Sequence, residues 1–527
     1  MRLSLLKVIT WLVSPQVVLG FTNHGQAVIK VTDHEPSTAR KVAVIGAGSA
    51  GSSAAYYLRK YADEADIALN ISVFERNSYV GGRSTTVHAY GDPLQPVELG
   101  ASIFVEVNRN LVNAVKEFNL STSSFSSRIS TDGPELGIWD GVRFRFTEQS
   151  EDSTWWTGAK LAWRYGPLTL YRARALRNAA IGSFLKMYDE PTFPFASLSD
   201  TVYDLGLTKF TAATGEQLLK EHGIGDLFAD EIVEASTRVN YAQNLNLIHG
   251  LEAMVCLSTE GAMAVEGGNW QIFDHMLKSS GATVHLSSPV RKVERLDDGR
   301  YVVHSKSSSY LSGFLNTQET FDEIILAGPR QFSGIDFQPE LAHVPDEIPY
   351  VKLHVTLFTS KHLLSPLAFN LQPGDAVPQV ILTTLPPDEP RSNVTDAGLP
   401  GFFSISLLRP VVDTRRFRSA QPEYLYKIFS PQAVNSTFLA HILGLKPRKA
   451  NEIISQRDVS WVYRQVWDSY PYEFPRVTFE ESRLDSGVWY TAGMEVFVST
   501  METMSLMGMN VARLVVDGWK GGMGRKE

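Results

Sequence analysis

Cysteine is almost absent from this chain of 527 residues, which contains a single one, Cys256. One cysteine excludes an intramolecular disulfide and a zinc cluster of several cysteines, so stability has to come from a large buried core. The twelve histidines are scattered along the chain, and we expect no metal site. Cys256 lies in the apolar run 254–257, which predicts a buried thiol and not a covalent attachment point for a cofactor.

Basic runs and long hydrophobic runs are lacking as well. The formal net charge is −8 and no cluster of cations stands out, which argues against a nucleic-acid partner. The most apolar stretch, residues 8–19, is too short for a secure membrane span and follows Arg2 and Lys7. Residues 1–20 therefore read as a signal peptide cleaved after Gly20, with an uncleaved anchor as the alternative.

A signal peptide predicts entry into the secretory pathway, with no stable membrane span once it is removed. Four N-x-S/T sequons occur, at Asn70, Asn119, Asn393 and Asn435. Asn70 begins a predicted strand, whereas Asn393 and Asn435 lie in polar, loop-like stretches. We expect the latter two to be the better glycan acceptors.

The richest local signal is the stretch 41–51, which predicts a strand, a turn and a helix. Gly46, Gly48 and Gly51 have the G-x-G-x-x-G spacing, which permits a tight turn, an approach to a pyrophosphate and close helix packing. Ser49 and Ala50 stand between them, where the helix N-terminus offers backbone N–H groups to phosphate. These five residues are predicted to bind a dinucleotide.

The residues after the second strand identify the dinucleotide. That strand, 71–75, ends in Glu75, about 20 residues beyond the turn, where a carboxylate accepts ribose hydroxyls. Arg76, Gly82 and Arg83 follow, and a glycine pair before an arginine resembles the flavoprotein pattern in which the chain crosses over the FAD pyrophosphate. Arg83 would pair with phosphate, with a solvated surface arginine as the alternative interpretation. The predicted cofactor is FAD, bound noncovalently.

Three later blocks are assigned to the same cofactor. Small residues after 97–99 would let the backbone approach the flavin, the strand pair 282–294 would meet the adenine, and the block 492–495 would meet the ribityl chain and isoalloxazine. Glu502, in an otherwise apolar helix start, is interpreted as stabilising the N-terminus of that helix. The predicted contacts in these blocks are Gly100, Ala101, Ser102, Val290, Gly493, Met494 and Glu495.

The fold class predicted from these elements is α/β and α+β, with a Rossmann-like FAD-binding domain of the amine-oxidase/glutathione-reductase type. The FAD-binding domain is discontinuous and comprises 41–120, 261–330 and 456–520. An inserted substrate-binding domain comprises 121–260 and 331–455. Aromatic residues are frequent between Trp139 and Phe195, where they suit both a core and an apolar substrate cavity.

Four blocks together resemble the prenylcysteine oxidases, also called prenylcysteine lyases, of fungal type. They are 44–59, 238–243, 264–269 and 492–495, of which the middle two are the more specific. No motif is matched within 359–455, and Ala242 stands where the family often has glycine.

The resemblance implies a secreted or lysosome/vacuole-type, FAD-dependent thioether oxidase that acts in the degradation of prenylated proteins. Prenylated cysteine, O₂ and water would give cysteine, an isoprenoid aldehyde and hydrogen peroxide. Hydride transfer to a flavin needs no strong acid or base, and the sequence identifies no catalytic residue.

Two alternatives remain open at this stage. The first is an FAD amine oxidase on the same fold, in which Lys352 would orient a water near the flavin unless it is a solvated strand lysine. The second is a protein that keeps FAD but has lost turnover. The predicted partners are a small-molecule substrate and O₂, while prenyl length and oligomeric state are not predicted.

Overall fold

The computed structural model describes residues 39–124, 133–149, 154–309, 313–389, 397–413, 421–446 and 454–523. The predicted signal peptide and Asn393 lie outside these residues. The strands are β1 Arg40–Ile45, β2 Leu69–Phe74, β3 Thr86–His88, β4 Pro96–Glu98, β5 Thr122–Ser124, β6 Pro134–Trp139, β7 Phe144–Gln149, β8 Met263–Val265, β9 Thr283–His285, β10 Val290–Arg295, β11 Tyr301–Ser309, β12 Gly313–Phe321, β13 Glu323–Leu326, β14 Asp336–Gln338, β15 Tyr350–Ser360, β16 Val380–Thr383, β17 Ser404–Val411, β18 Glu423–Ser430, β19 Val459–Pro471, β20 Arg483–Asp485 and β21 Val488–Tyr490. The helices are α1 Ser49–Glu64, α2 Arg109–Glu117, α3 Thr154–Tyr165, α4 Pro167–Phe184, α5 Leu198–Asp204, α6 Thr208–Thr211, α7 Gly215–Glu221, α8 Asp226–Phe228, α9 Glu234–Tyr241, α10 Gly250–Cys256, α11 Trp270–Ser280, α12 Ser436–Ile442 and α13 Met501–Met523.

A six-stranded sheet carries the first motif. Its strand order is β20-β21-β13-β1-β2-β9, with every neighbouring pair parallel except β20–β21. Val42, Ala43 and Val44 of β1 are fully buried, as expected for a strand covered on both faces. Helix α1 follows β1 directly and packs against α13, where a Cβ on Gly508 would lie 2.2 Å from the Ala50 carbonyl oxygen. This arrangement confirms the predicted Rossmann-like fold.

A seven-stranded sheet forms a second layer, in the order β19-β15-β18-β17-β16-β6-β7. Its neighbours are antiparallel except β16 and β6, which are parallel. Alternate residues of β15 face different cores, since Leu357 and Phe358 belong to separate buried clusters. Strand β19 completes this sheet, although the sequence assigned the chain from residue 456 onward to the FAD-binding part.

Helices from α4 to α10 pack with α1, α11 and α13 around one extended core. Cys256 is buried in it at the end of α10, as its apolar neighbours predicted. Ala242 ends α9 in the left-handed conformation, with φ of +54°. Among the residues that the structure describes, no helix is long and apolar enough to cross a membrane.

Glu502 binds the N-terminus of a second helix besides its own. Its buried carboxylate accepts hydrogen bonds from the backbone N–H groups of Asn110 (2.8 Å) and Leu111 (3.0 Å), in the first turn of α2. The Tyr188 hydroxyl donates a third, at 2.7 Å. Glu502 is also the acidic residue in the first turn of its own helix α13, as predicted, so its carboxylate lies at the N-termini of two helices whose sequences are almost 400 residues apart.

Candidate active site

The turn between β1 and α1 has no space for side chains at two of its glycines. Gly46 has φ of +111°, and a Cβ there would lie 2.8 Å from the Ala327 carbonyl oxygen. A Cβ on Gly51 would lie 1.9 Å from the Gly46 carbonyl oxygen. The backbone can take this compact path only with glycine at both positions.

The predicted crossing segment meets this turn directly. The Gly81 N–H donates to the Ala47 carbonyl at 2.9 Å, and a Cβ on Gly82 would lie 3.2 Å from the Gly48 Cα. Gly48 is the N-cap of α1, and neither a capping side chain nor an acidic residue occupies the first turn. An uncapped helix N-terminus inside a glycine-lined turn fits a pyrophosphate.

Ser49 and Ala50 have packing roles on the far side of the turn. The Ser49 hydroxyl donates to the Met501 carbonyl at 2.6 Å, and Ala50 packs against Gly508. Both residues therefore present only backbone N–H groups toward the helix N-terminus.

Glu75 is buried at the end of β2 and bonded to the same turn. Its two oxygens accept from the Ala47 N–H and the Asn77 N–H, each at 2.8 Å. Each carboxylate oxygen keeps a second lone pair, so a ribose hydroxyl can still be bound. The Ser288 N–H donates to the Glu75 carbonyl at 2.8 Å, which brings nearby Val290, the first residue of β10, to this end of the sheet.

Arg76 does not join this group. Its side chain is exposed, and Nη1 donates to the Phe332 carbonyl at 2.8 Å. The Arg76 side chain thus contacts a different segment from that of Glu75, and its role in cofactor binding stays a prediction.

Arg83 and Glu495 were predicted as separate cofactor contacts, and the structure joins them in one ion pair of 2.7 Å. Arg83 also donates to the Ser469 carbonyl at 2.5 Å, and the Tyr350 hydroxyl donates to Glu495 at 3.1 Å. Glu495 is buried in the turn 492–496, which follows β21 of the six-stranded sheet. Ser469 and Tyr350 belong to β19 and β15 of the seven-stranded sheet, so these bonds connect the two sheets. A charge pair at this position can orient a polar cofactor group from either side.

Other members of the predicted set surround this pair. A Cβ on Gly100 would lie 3.4 Å from the Arg83 carbonyl oxygen, an ordinary contact distance that places Gly100 next to Arg83. A Cβ on Gly493 would lie 2.9 Å from the Glu480 carbonyl oxygen. The Met494 side chain lies wholly in the core, which leaves only its backbone for a ligand.

Lys427 is a site residue that our sequence analysis missed. It is buried on β18 and donates to the Ser102 hydroxyl at 2.8 Å and to the Glu98 carbonyl at 3.2 Å. Burial lowers the pKa of Lys427 and raises the pKa of the Glu98 carboxyl. Lys427 is the single charged residue in the apolar run 425–429, and this pattern could have identified it as a buried charge from the sequence.

Asn269 holds the same segment from the other side. Its N–H donates to the Glu98 carboxylate at 2.6 Å, and its amide donates to the Ala101 carbonyl at 2.8 Å. Ala101 has φ of +47°, which is a strained conformation for alanine. Segment 98–102 is therefore fixed in place by side chains from both sides, as a surface that positions a planar ligand requires.

A second buried cluster lies beyond the Arg83–Glu495 pair. It contains Glu252, Glu473 and His249, all fully buried. Glu252 accepts from the Ser499 N–H at 3.0 Å, and His249 Nε2 lies 3.7 Å from a Glu473 oxygen. Burial, with Arg476 nearby, lowers the pKa of His249 to about 3, and burial raises the pKa of Glu252 to about 8. His249 and Glu252 are thus uncharged near pH 6, and burial also raises the pKa of Glu473.

The block 238–243 has a structural role. Arg238 is fully buried on α9 and donates to Thr383 (3.0 Å), Asn244 (2.6 Å) and the Ala397 carbonyl (2.6 Å). Gln243 bonds the Pro471 carbonyl at 3.0 Å and the Glu473 N–H at 2.8 Å. These contacts connect α9 to the seven-stranded sheet.

Within the described residues, no group of three or more His, Cys, Asp or Glu side chains could hold a metal ion. The polar groups gathered around the Rossmann turn instead suit an anionic organic cofactor. Comparison with known proteins bears on its identity.

The family model described as prenylcysteine lyase matches residues 148–525. The chain belongs to the prenylcysteine lyase family. A second model, for NAD(P)-binding Rossmann-like domains, matches residues 44–118. The resemblance inferred from the four sequence blocks is therefore confirmed.

Among curated proteins, farnesylcysteine lyase of Arabidopsis thaliana is 29% identical over 93% of this chain and 90% of its own length. Human prenylcysteine oxidase 1 is 27% identical over 91% of this chain and 90% of its own length. Among solved structures, cyclohexylamine oxidase from Brevibacterium oxydans matches with a TM-score of 0.53 and 15% identity, over 92% of this chain and all of that one. The last match shows the fold alone.

Proposed function

We propose that this member of the prenylcysteine lyase family is a FAD-dependent oxidase that cleaves the thioether of farnesylcysteine or geranylgeranylcysteine. Family membership over most of the chain carries the proposal, and two relatives named for prenylated cysteine support it. The proposed reaction uses O₂ and water and gives cysteine, the isoprenoid aldehyde and hydrogen peroxide, in the breakdown of prenylated proteins.

The protein groups around the Rossmann turn fit FAD. The glycine-lined turn and uncapped α1 N-terminus would receive the pyrophosphate, and Glu75 would accept from a ribose hydroxyl. Arg83 and Glu495 would face the cofactor where the two sheets meet. Bound FAD would supply a two-electron acceptor for the hydride of the carbon next to sulfur and would pass both electrons to O₂.

The substrate supplies much of the remaining reactivity. The carbon that loses hydride is both allylic and bonded to sulfur, so positive charge is shared between the alkene and sulfur. Water adds to this carbon, and the hemithioacetal collapses to an aldehyde and the cysteine thiol. The protein has to hold the carbon in place and exclude bulk water, and the rigidly held segment 98–102 is suited to that task.

We further propose that the protein follows the secretory route to a lysosome, a vacuole or the exterior. Asn435 is exposed as the N-cap of α12, and its side-chain oxygen accepts from the Phe438 N–H at 2.9 Å. This bond leaves the amide nitrogen available for a glycan. The loss of a mass step in Asn435→Gln, and a mature N-terminus near Phe21, would support this route, while a mature protein starting at Met1 would contradict it.

The decisive assay is anaerobic reduction of the bound flavin, followed by absorbance. Farnesylcysteine should reduce it, S-methylcysteine should do so poorly, and deuterium on the carbon attached to sulfur should slow the step if hydride transfer limits it. A polyamine and a benzylic amine serve as competing substrates, since the same fold occurs in an amine oxidase. Reduction by an amine and not by the thioether would replace the proposal, and reduction by neither would favour a binding protein.

A further inference from the structure

Helices α3 and α4 are separated only by Gly166, and this pair, called the hairpin below, presents large apolar side chains to solvent. The Trp163 side chain is 93% exposed, that of Leu168 is 55% exposed and that of Tyr171 is 72% exposed. Leu168 and Tyr171 are three residues apart on α4 and therefore share a face, while Trp163 lies in the last turn of α3, five residues before Leu168. Exposed aromatic and aliphatic residues grouped in this way mark an interaction surface.

The charge of the hairpin is opposite to that of the whole protein. Between residues 154 and 186 there is no aspartate or glutamate, although the formal charge of the chain is −8. The cations of this segment are Lys160, Arg164, Arg172, Arg174, Arg177 and Lys186. Carboxylates elsewhere balance two of them, since Glu231 pairs with Arg164 at 2.7 Å and Glu260 with Arg177 at 2.5 Å.

Two of the other cations follow Tyr171 closely in the chain. Arg172 and Arg174 are exposed on α4, one and three residues after Tyr171. Arg172 donates to the Gly223 carbonyl at 2.8 Å, and among the residues that the structure describes no carboxylate forms an ion pair with it. Exposed Trp, Tyr and Leu next to arginines are the combination found on helices that lie in a membrane interface.

We propose that this hairpin surface, comprising Trp163, Leu168, Tyr171, Arg172 and Arg174, binds the protein to an anionic lipid bilayer. The aromatic and leucine side chains enter the headgroup region, and the two arginines pair with lipid phosphates and carboxylates. The attachment is peripheral, in agreement with the lack of a membrane-crossing helix among the described residues.

The inner side of α4 connects this surface to the candidate active site. Leu176 and Phe184 of α4 are buried, and the Phe184 ring lies 6.0 Å from that of Phe497, two residues after Glu495. From Leu168 to Phe184 the helix spans about 24 Å. A membrane-attached protein would thus hold its site within one helix length of the lipid in which prenyl chains dissolve. Lipid attachment itself does not depend on the reaction proposed above.

The test is flotation of the FAD-loaded protein with vesicles of phosphatidylcholine containing roughly a third phosphatidylserine. The protein should float with these vesicles and much less with pure phosphatidylcholine. Since each cation near an anionic surface contributes about fivefold to partitioning, Arg172→Gln with Arg174→Gln should weaken binding roughly thirtyfold. Trp163→Ala with Tyr171→Ala should weaken binding to both kinds of vesicle.

Leu94→Ala is the matched control, because Leu94 is 84% exposed outside the hairpin and its loss should leave flotation unchanged. Flavin absorbance and melting temperature confirm that the variants fold, which their exposure favours. The proposal is overturned if the wild type floats with neither vesicle, or if the Trp163/Tyr171 variant floats as the wild type does. A change of oligomeric state in that variant, with flotation unchanged, would instead assign the surface to contact between copies of this chain.

Discussion

Replacing Glu252 with glutamine should make the protein increasingly more stable than the wild type as pH rises. Glu252 is fully buried, and burial raises the pKa of its carboxyl from 4.5 to about 8. Above pH 4.5 the unfolded chain releases this proton while the folded protein retains it, so rising pH favours unfolding. The wild type therefore loses stability between about pH 4.5 and 8.

The loss of stability with rising pH can be calculated from the difference between the pKa of Glu252 in the unfolded chain, 4.5, and in the folded protein, about 8. Each pH unit inside the window costs roughly 1.4 kcal/mol, or on the order of 4–5 kcal/mol over the whole of it. Glutamine matches the protonated acid in shape and can still accept from the Ser499 N–H, now 3.0 Å from Glu252. The two proteins should thus be similar near pH 4.5 and diverge above it.

His249 acts in the opposite direction within the same cluster. Because its pKa is lowered from 6.5 to about 3, the unfolded chain binds a proton below pH 6.5 that the folded protein does not bind. Stability from this group is lost as pH falls from 6.5 toward 3. Between pH 4.5 and 6.5 the effects of Glu252 and His249 on the free energy of unfolding have opposite signs. The range from pH 6.5 to 8 therefore isolates the effect of Glu252 best.

The assay is urea unfolding of Glu252→Gln and wild type at pH 4.5, 6.5 and 8, with saturating FAD. Circular dichroism gives the midpoint, and unchanged slopes justify comparing free energies of unfolding. Glu221→Gln, at an exposed position, controls for the loss of one carboxyl. A difference between Glu252→Gln and wild type that stays constant from pH 4.5 to 8 would refute the reasoning.

Three further substitutions test the backbone and the cofactor site. Gly51→Ala should abolish flavin retention, because the new Cβ would lie 1.9 Å from the Gly46 carbonyl oxygen. The flavin absorbance of the purified protein measures retention. Gly182→Ala is the control and should retain flavin, since Gly182 is a helical position with open space around it. A normal flavin content in Gly51→Ala would contradict the model of the turn. Ala242→Gly should raise the free energy of unfolding by about 1 kcal/mol in urea titrations, since φ of +54° strains alanine. A lower free energy of unfolding in the variant than in the wild type would contradict this prediction. Glu75→Ala should weaken FAD binding by roughly 1–3 kcal/mol in release titrations, because it removes the predicted ribose acceptor and leaves the Ala47 and Asn77 N–H groups without their partner; unchanged affinity would contradict the role of Glu75.

The sequence by itself determined the Rossmann turn. Gly46, Gly48, Gly51 and Glu75 lie within 30 residues, and their spacing alone sets the turn, the helix start and the position of the acid. Local backbone geometry depends on neighbours in the chain, so a motif of this length can be predicted from the sequence without knowledge of the fold. The burial of Cys256 was also predicted locally, from its apolar neighbours 254–257.

Only the tertiary structure decided which charges meet. Lys427 lies 329 residues from the Glu98 carbonyl that it contacts, and Glu502 caps a helix 392 residues earlier. The sequence showed each as a charge among apolar residues, which signals a buried group but does not name its partner. The sequence likewise did not predict that β19 pairs with β15 or that Arg83 forms an ion pair with Glu495. Such contacts depend on which distant segments the packed core brings together, because a buried charge is tolerated only where another segment supplies its partner.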